Sequence, residues 1–252
     1  MLKSFILSLL LLCAPFVVYA QAVEDAPSKV ETNFSELGME DSLAMSDVAT
    51  IEKLKDEGFD FNKTDDNGNP PLYYILSRNP NLEVAKKAIE YGADVNKPAK
   101  NGMIPLNIAT SKANELQLQI MMMKTMGLNT EDTKIQEELK DNLFREMTRA
   151  IEMTQLLIDS GADVNLLSSL GTPLMNAVTN VWNLDIVKML IDAKADLNLT
   201  DKKGRTALFY AFASSNDEVV NLLIESGADV SIKDADGKIY SEMPKVSVEP
   251  AI

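Results

Sequence analysis

The sequence predicts an all-α fold, a solenoid of about five helix-turn-helix repeats with short β-turn fingers. Three observations predict it. A phrase of the type Gly-Ala-Asp-Val-Asn occurs five times, and a phrase of the type Asn-Gly-x-x-Pro-Leu follows most copies at a fixed distance. Between them, apolar residues recur three and four positions apart, as on one face of a helix. A fixed period of about 20 to 50 residues indicates stacked units, each of which buries its apolar face against its neighbours.

The first twenty residues have the pattern of a signal peptide. Lys3 supplies a positive start, residues 5–12 are nearly all apolar, and Val18-Tyr19-Ala20 has small or modest residues at a cleavage site. We expect cleavage after Ala20 or after Ala22. The chain is therefore predicted to be exported, periplasmic or secreted, and without stable membrane insertion after cleavage.

The copies of the first phrase set the repeat length. Their first residues are Gly58, Gly92, Gly161, Lys194 and Gly227. These residues stand 33 or 34 positions apart, except for one interval of 69. The period and both phrases resemble the ankyrin-repeat family, whose unit is a β-turn finger followed by two antiparallel helices. The resemblance covers about residues 36–240 and implies a module that binds protein partners without catalysis.

The resemblance places the boundaries of a single ankyrin-repeat domain at residues 36–240. The repeats are expected at 36–62, 63–96, 97–165, 166–198 and 199–231, with a C-terminal cap at 232–243. The first repeat is expected to keep only its second helix, from Val48 to Glu57, because no clear pattern for a first helix precedes it. Residues 21–35 and 244–252 are expected to be a disordered linker and a disordered tail.

The long interval predicts an insertion at residues 113–148, between the two helices of the third repeat. Gly127 interrupts a stretch of good helix formers, and apolar residues then recur every four positions from Ile135 to Ile151. We expect two lengthened helices that form a protruding antiparallel hairpin. The methionines from Met121 to Met126 allow three hypotheses: hairpin core, an adaptable patch for a protein partner, or a thioether site for monovalent copper.

Composition limits the chemistry that the chain can perform. There are 24 Lys and Arg against 38 Asp and Glu, a net charge of -14, and this argues against nucleic acid as a partner. The chain has no His and one Cys, Cys13, within the predicted signal peptide. Nucleophilic catalysis, imidazole chemistry and soft-ligand zinc sites therefore have almost no residues to use. We predict no catalytic residue, no cofactor and no resident metal, and we expect a monomer.

Ankyrin-like stacks bind through their finger tips and the exposed side of their first helices, and these positions give the candidate partner-binding residues. They are Asp66, Asn67, Asn69, Arg78, Lys100, Asn101, Met103, Lys112, Met175, Asn180, Trp182, Lys202, Lys203 and Arg205. Most of the charged members are basic, opposite in sign to the whole chain. This pattern fits either a solvated surface or a basic stripe for an acidic partner segment. Trp182 is either a packing residue or a binding anchor.

These observations favour a non-catalytic protein-binding module that uses its concave surface or its inserted hairpin. A periplasmic adaptor, an inhibitor or an immunity protein fits this interpretation. The alternatives are a secreted effector that acts on host proteins and a copper-handling protein that uses Met121 to Met126.

Overall fold

The computed structural model describes residues 34–79, 81–111, 133–179 and 183–242. These residues form helices and turns without any strand, apart from an isolated antiparallel bridge between Ser168 and Gly171. The helices are α1 (Phe34–Ala44), α2 (Val48–Asp56), α3 (Pro71–Arg78), α4 (Leu82–Glu90), α5 (described over 105–111), α6 (Thr133–Asp159), α7 (Pro173–Ala177), α8 (Leu184–Asp192), α9 (Ala207–Ala213) and α10 (Asp217–Glu225), followed by a 3₁₀ turn at Tyr240–Glu242.

The helices pack in the order in which they follow one another in the chain. First helices contact first helices, as α1 with α3 and α7 with α9, while α2, α4, α6 and α8 contact one another in turn. Equivalent leucines such as Leu157, Leu190 and Leu223 on the second helices are fully buried in one continuous apolar core. Each helix pair therefore buries its apolar face against the neighbouring pairs, as the apolar spacing in the sequence predicts.

The first residue of the Gly-Ala-Asp-Val-Asn phrase stands two positions after the last residue of each second helix. At the end of α6, Gly161 has a φ of 86°. Its N–H donates to Ile158 O at 3.0 Å, and the next N–H, of Ala162, donates to Leu157 O at 2.9 Å. This left-handed cap favours glycine. Lys194 occupies the same position after α8, with a φ of 68°.

The Asp and Asn of the phrase hold the turn that follows. Asp94 Oδ1 accepts the N–H of Asn96 at 2.8 Å within its own turn. Asn96 Oδ1 in turn accepts the N–H of Asp163 at 2.8 Å, in the next copy of the phrase. The other links of this asparagine row are Asn62 to Asp94, Asn165 to Asp196 and Asn198 to Asp229. The phrase recurs because the same residues close each turn and join it to the next.

The N-terminal end departs from the sequence prediction. The first repeat was expected to have only a second helix, but α1 packs against α3 as a first helix. Gly38, with φ 74° and ψ 168°, kinks α1 and interrupts the helical pattern in the sequence. Because α1 begins at Phe34, the expected linker can extend only to residue 33.

The insertion is partly described. The expected long second helix is present as α6, which spans 27 residues from Thr133 to Asp159. The remainder of the expected hairpin, with Met121 to Met126, lies outside the described residues, as do the predicted signal peptide and the tail. Of the helices within the described ranges, none is both long and apolar enough to cross a membrane.

Candidate partner-binding surface

Five tight turns precede the first helices or the final 3₁₀ turn, and they form a row. We number them after the predicted repeats 2 to 5 and the C-terminal cap in which they lie. Fingers 2 to 6 are residues 65–68, 99–102, 168–171, 201–204 and 234–237. In each, the N–H of the fourth residue, a glycine, donates to the carbonyl of the first, as Gly204 does to Asp201 at 3.0 Å. The glycines have φ values between 74° and 92°, which other residues rarely adopt. The finger glycines of the sequence are therefore required by the backbone.

Finger 5 is held by a carboxylate that accepts several hydrogen bonds. Asp201 Oδ1 accepts the N–H groups of Lys203 and Arg205 at 2.8 and 2.9 Å. Asp201 Oδ2 accepts from Arg205 Nη2 at 2.8 Å and from the Tyr210 hydroxyl at 2.6 Å. Burial alone would raise the pKa of Asp201, but the bonds from Tyr210, Arg205 and Lys203 outweigh it and lower the pKa to about 2. Burial and the bond to Asp201 raise the pKa of Tyr210 to about 12.

Finger 2 repeats this arrangement, with the neutral Asn69 at the position of Arg205. Asp65 Oδ1 accepts the N–H of Asn69 at 2.9 Å, and Oδ2 accepts the hydroxyl of Tyr74 at 2.7 Å. Asn69 also donates to that hydroxyl at 3.0 Å. In finger 4, a serine takes the place of the aspartate, and the Ser168 hydroxyl donates to Gly171 O at 2.8 Å. An acidic first residue therefore becomes part of the finger rather than of the outer surface.

Neighbouring fingers are joined through the N–H of their second residue. Lys100 N–H donates to Asn69 Oδ1 at 3.1 Å, and Ser169 N–H donates to Gly102 O at 3.2 Å. Ala235 N–H donates to Lys203 O at 2.8 Å. Between fingers 4 and 5, no such hydrogen bond is formed by the residues that the structure describes.

Six of the predicted binding residues lie at finger tips and are exposed. They are Asp66, Asn67, Lys100, Asn101, Lys202 and Lys203. The side chains of Asp66, Lys100, Lys202 and Lys203 form no hydrogen bond or ion pair with another described residue. These four charges are therefore available to a partner.

Three other candidates have structural contacts. Arg78 forms an ion pair with Glu40 of α1, Arg205 is held by Asp201, and Asn69 connects fingers 2 and 3. Of these three, Arg78 remains the most exposed. Reversing the charge of Arg205 would disturb its finger as well as the surface.

The prediction that Met175 lies on the binding surface is wrong. Its side chain is 1% exposed, and its sulfur accepts the N–H of Thr172 at 3.4 Å. Thr172 caps α7 by accepting the N–H of Met175 at 3.2 Å, which turns this side chain back over Gly171. Met103 is half-buried against the core. Asn107 is also buried, and its amide donates to Gly171 O at 3.4 Å, as expected for a polar residue that joins a helix to the next finger.

Lys112, Asn180 and Trp182 lie outside the described residues. The acidic residues of the second helices are exposed, away from the finger tips. They are Glu83, Glu90, Glu152, Asp159, Asp185, Asp192, Glu218 and Glu225. In the parts of the chain with assigned positions, no group of three or more acidic or Cys side chains could hold a metal ion.

Two surface leucines were missed in the sequence. Leu167, which directly precedes finger 4, and Leu170, within it, are 49% and 47% exposed. Leu170 occupies the tip position that Asn101 and Lys203 occupy in fingers 3 and 5. An apolar residue at a tip that is otherwise polar was the available signal.

The helix pairs, turn glycines and asparagine row can now be compared with known families. Residues 147–234 match the family model of ankyrin repeats, in three copies. The ankyrin match begins within α6 and includes fingers 4 and 5. No curated protein matches the chain. Ankyrin repeats typically lack catalysis and are generally protein–protein interaction modules, and the binding role agrees with the exposed tips of the matched fingers.

Proposed function

We propose that the chain is an exported, non-catalytic ankyrin-repeat protein that binds a protein partner along its finger row. In this proposal, residues 36–240 form one solenoid of about five repeats, with the hairpin of 113–148 inserted in the third. The observation that carries the proposal is that four predicted finger-tip charges form no hydrogen bond or ion pair with another described residue: Asp66, Lys100, Lys202 and Lys203. The finger backbones are bonded within the row, which holds these side chains on a fixed frame.

Preorganisation is the physical advantage of such a row. The finger backbones are fixed by turn bonds of 2.8 to 3.2 Å and by links between neighbouring fingers. A partner therefore has to order its own segment but not the fingers. Binding loses less conformational entropy than it would with free loops.

The test is affinity capture from the exported fraction of the source cells, with the full chain immobilised and the retained proteins identified by mass spectrometry. A finger variant carries Asp66→Ser, Lys100→Ser, Lys202→Ser and Lys203→Ser. A matched control variant replaces four exposed residues of the second helices: Glu83→Ser, Lys188→Ser, Glu218→Ser and Glu225→Ser. We expect the finger variant to lose the partner and the control variant to retain it.

A third variant separates the fingers from the hairpin. It lacks residues 113–148 and rejoins the chain with a short turn. If this deletion abolishes capture while the finger variant retains the partner, the hairpin is the interface and the finger row is not. Equal capture by all variants would contradict both surfaces.

Export rests on Lys3, the apolar residues 5–12 and the cleavage pattern at Val18-Tyr19-Ala20. Sequencing the N-terminus of the protein recovered outside the cytoplasm should give Gln21 or Val23. Intact Met1 in cytosolic protein alone would contradict export but would leave the binding proposal open to the capture test.

A further inference from the structure

The junction between fingers 4 and 5 differs from the other described junctions of the row. At this position Lys202 N–H is the equivalent of the N–H groups that join the other fingers, yet it makes no bond to finger 4 in the described part of the chain. The atoms nearest to the finger glycines show a similar contrast. A Cβ on Gly102 would meet finger 4 at Ser169, and a Cβ on Gly204 would meet finger 6 at Asp234 and Ala235. The three atoms nearest to a Cβ on Gly171 all belong to Met175 of its own unit.

The exposed side chains around this junction are basic on finger 3, apolar at finger 4 and basic on finger 5. Leu167 and Leu170 are among the few large apolar side chains exposed within the described residues; Leu170 belongs to finger 4 and Leu167 directly precedes it. Lys100 stands on finger 3, and Lys202 and Lys203 stand on finger 5. An apolar centre therefore has a lysine on one side and two on the other.

Acidic tips appear only farther along the row. Asp66 on finger 2 and Asp236 on finger 6 are exposed at its two ends. Asp201 adds no free negative charge at the centre because Arg205 and Tyr210 bind its carboxylate. The acidic second helices lie behind the layer of first helices, about 10 Å thick, and charges beyond about 8 Å are screened at physiological ionic strength. The lysines are thus the free charges at the tips of the three central fingers.

We propose that the junction of fingers 4 and 5 binds an extended segment of another protein in which an apolar side chain is flanked by acidic residues. This inference rests on the proposed binding function and assigns it a place and a partner chemistry. The apolar side chain covers Leu167 and Leu170. Flanking carboxylates pair with Lys100 on one side and with Lys202 and Lys203 on the other. An oxygen of the segment accepts the N–H of Lys202.

The probe is a phage-displayed library of random twelve-residue peptides, selected on the immobilised full chain. Enriched peptides are synthesised with a fluorescent label and titrated by anisotropy. We expect them to share an apolar residue with Asp or Glu on both sides. Peptides without flanking acids, or no enrichment at all, would overturn the inference.

Two junction variants and one matched control locate the bound peptide. The junction variants are Leu167→Ser with Leu170→Ser, and Lys202→Glu with Lys203→Glu. The control makes the same types of change elsewhere, with Val230→Ser, Lys233→Glu and Lys238→Glu. The exposed fraction of Val230, 44%, is similar to that of Leu170, and Lys233 and Lys238 are both exposed. We expect each junction variant to weaken binding about ten-fold or more and the control less than about two-fold.

The backbone donor has its own test. Lys202→Ala and Lys202→Pro both remove the lysine charge, but only proline removes the N–H. Position 202 is the second residue of its turn, where proline is favoured. We expect Lys202→Pro to bind the enriched peptides more weakly than Lys202→Ala, with equal thermal melts. Equal binding would show that this N–H is not used and would overturn that part of the inference.

The outcomes distinguish this inference from the proposed function. If enriched peptides bind the junction variants as tightly as the unchanged chain, the junction is not the site. If the finger variant still fails to capture the cellular partner in that case, the finger row keeps its proposed function. If the finger variant captures normally too, the finger-row proposal fails together with the inference.

Discussion

The predicted fourth and fifth repeats, residues 166–198 and 199–231, share a sequence pattern but close their fingers with different hydrogen bonds. Finger 5 begins with Asp201, whose carboxylate accepts from two backbone N–H groups, Arg205 and Tyr210. Finger 4 begins with Ser168, whose hydroxyl donates to Gly171 O and accepts the N–H of Leu170 at 3.0 Å. The backbone turn is retained while the number and charge of its bonds change.

The difference determines what each finger presents to solvent. In finger 5 the acid is neutralised inside the turn, so the lysines of the tip remain as the outward charges. In finger 4 the turn is closed by a neutral hydroxyl, and the tip carries Leu170 beside Ser169, with Leu167 directly before the finger. The residues that close a turn therefore influence the surface indirectly, by consuming one sign of charge.

The largest expected effect compares two equivalent buried leucines, Leu190 in α8 and Leu223 in α10. Both are fully buried. Leu190→Ala should reduce the free energy of unfolding by roughly 2 to 5 kcal/mol, since it leaves a cavity with neighbours on both sides. Leu223→Ala should cost less because the last helix pair can open by itself. Urea titration measures both, and equal losses would argue against end-to-end differences in the stack.

A smaller effect concerns the two turn closures. Asp201→Ala removes hydrogen bonds to a charged group and should lower the free energy of unfolding by roughly 2 to 3 kcal/mol, against about 1 kcal/mol for Ser168→Ala. The same urea titration compares them. If Ser168→Ala costs as much as Asp201→Ala, the carboxylate adds nothing beyond a neutral closure.

The pH dependence of stability should distinguish the same two fingers. Because folding lowers the pKa of Asp201 from 3.8 to about 2, its contribution is fully present above pH 4 and is lost as the pH falls towards 2. Asp201→Asn should flatten the decline of unfolding free energy over this interval. Ser168→Ala serves as the control and should keep the full slope, because finger 4 has no titratable group in its turn. A slope that Asp201→Asn leaves unchanged would assign the decline to other carboxylates.

The smallest effect compares the ends of the second helices. Lys194 follows the C-cap of α8 with a φ of 68°, whereas Gly227 follows the C-cap of α10 with a φ of 98°. Lys194→Gly should raise the free energy of unfolding by about 0.5 kcal/mol, since relief of left-handed strain slightly exceeds the entropy that glycine loses on folding. Gly227→Ala should destabilise the protein. Thermal melts that rank the two changes in the opposite order would contradict this account of the cap.

The repeated features were the ones that the sequence could predict. Gly161 and Gly204 are required by the backbone, and the Asp and Asn of the recurring phrase bond in the same way in the four copies that contain both. Features found once were harder to predict. The helix α1 was not predicted because Gly38 interrupts its helical pattern. Met175 is buried because Thr172 turns its side chain over finger 4.

The role of a charge also depended on contacts that spacing does not reveal. Arg205 and Lys203 are near neighbours in the sequence, but the Arg205 side chain donates to Asp201 through its planar guanidinium, whereas Lys203 donates only through its backbone N–H. The sequence therefore predicted the finger row but not which of its charges remain free.

The asparagine row has a consequence for insertion tolerance. The link from Asn96 to Asp163 spans 67 positions, yet its length of 2.8 Å equals that of the Asn198 to Asp229 link, which spans 31. The alignment of the asparagine row is therefore independent of how many residues lie between two consecutive links. Each doubling of the length of a flexible loop costs only about 0.6 kcal/mol. A foreign segment grafted between the two helices of another repeat should therefore leave the asparagine row aligned, provided that the ends of the segment lie close together.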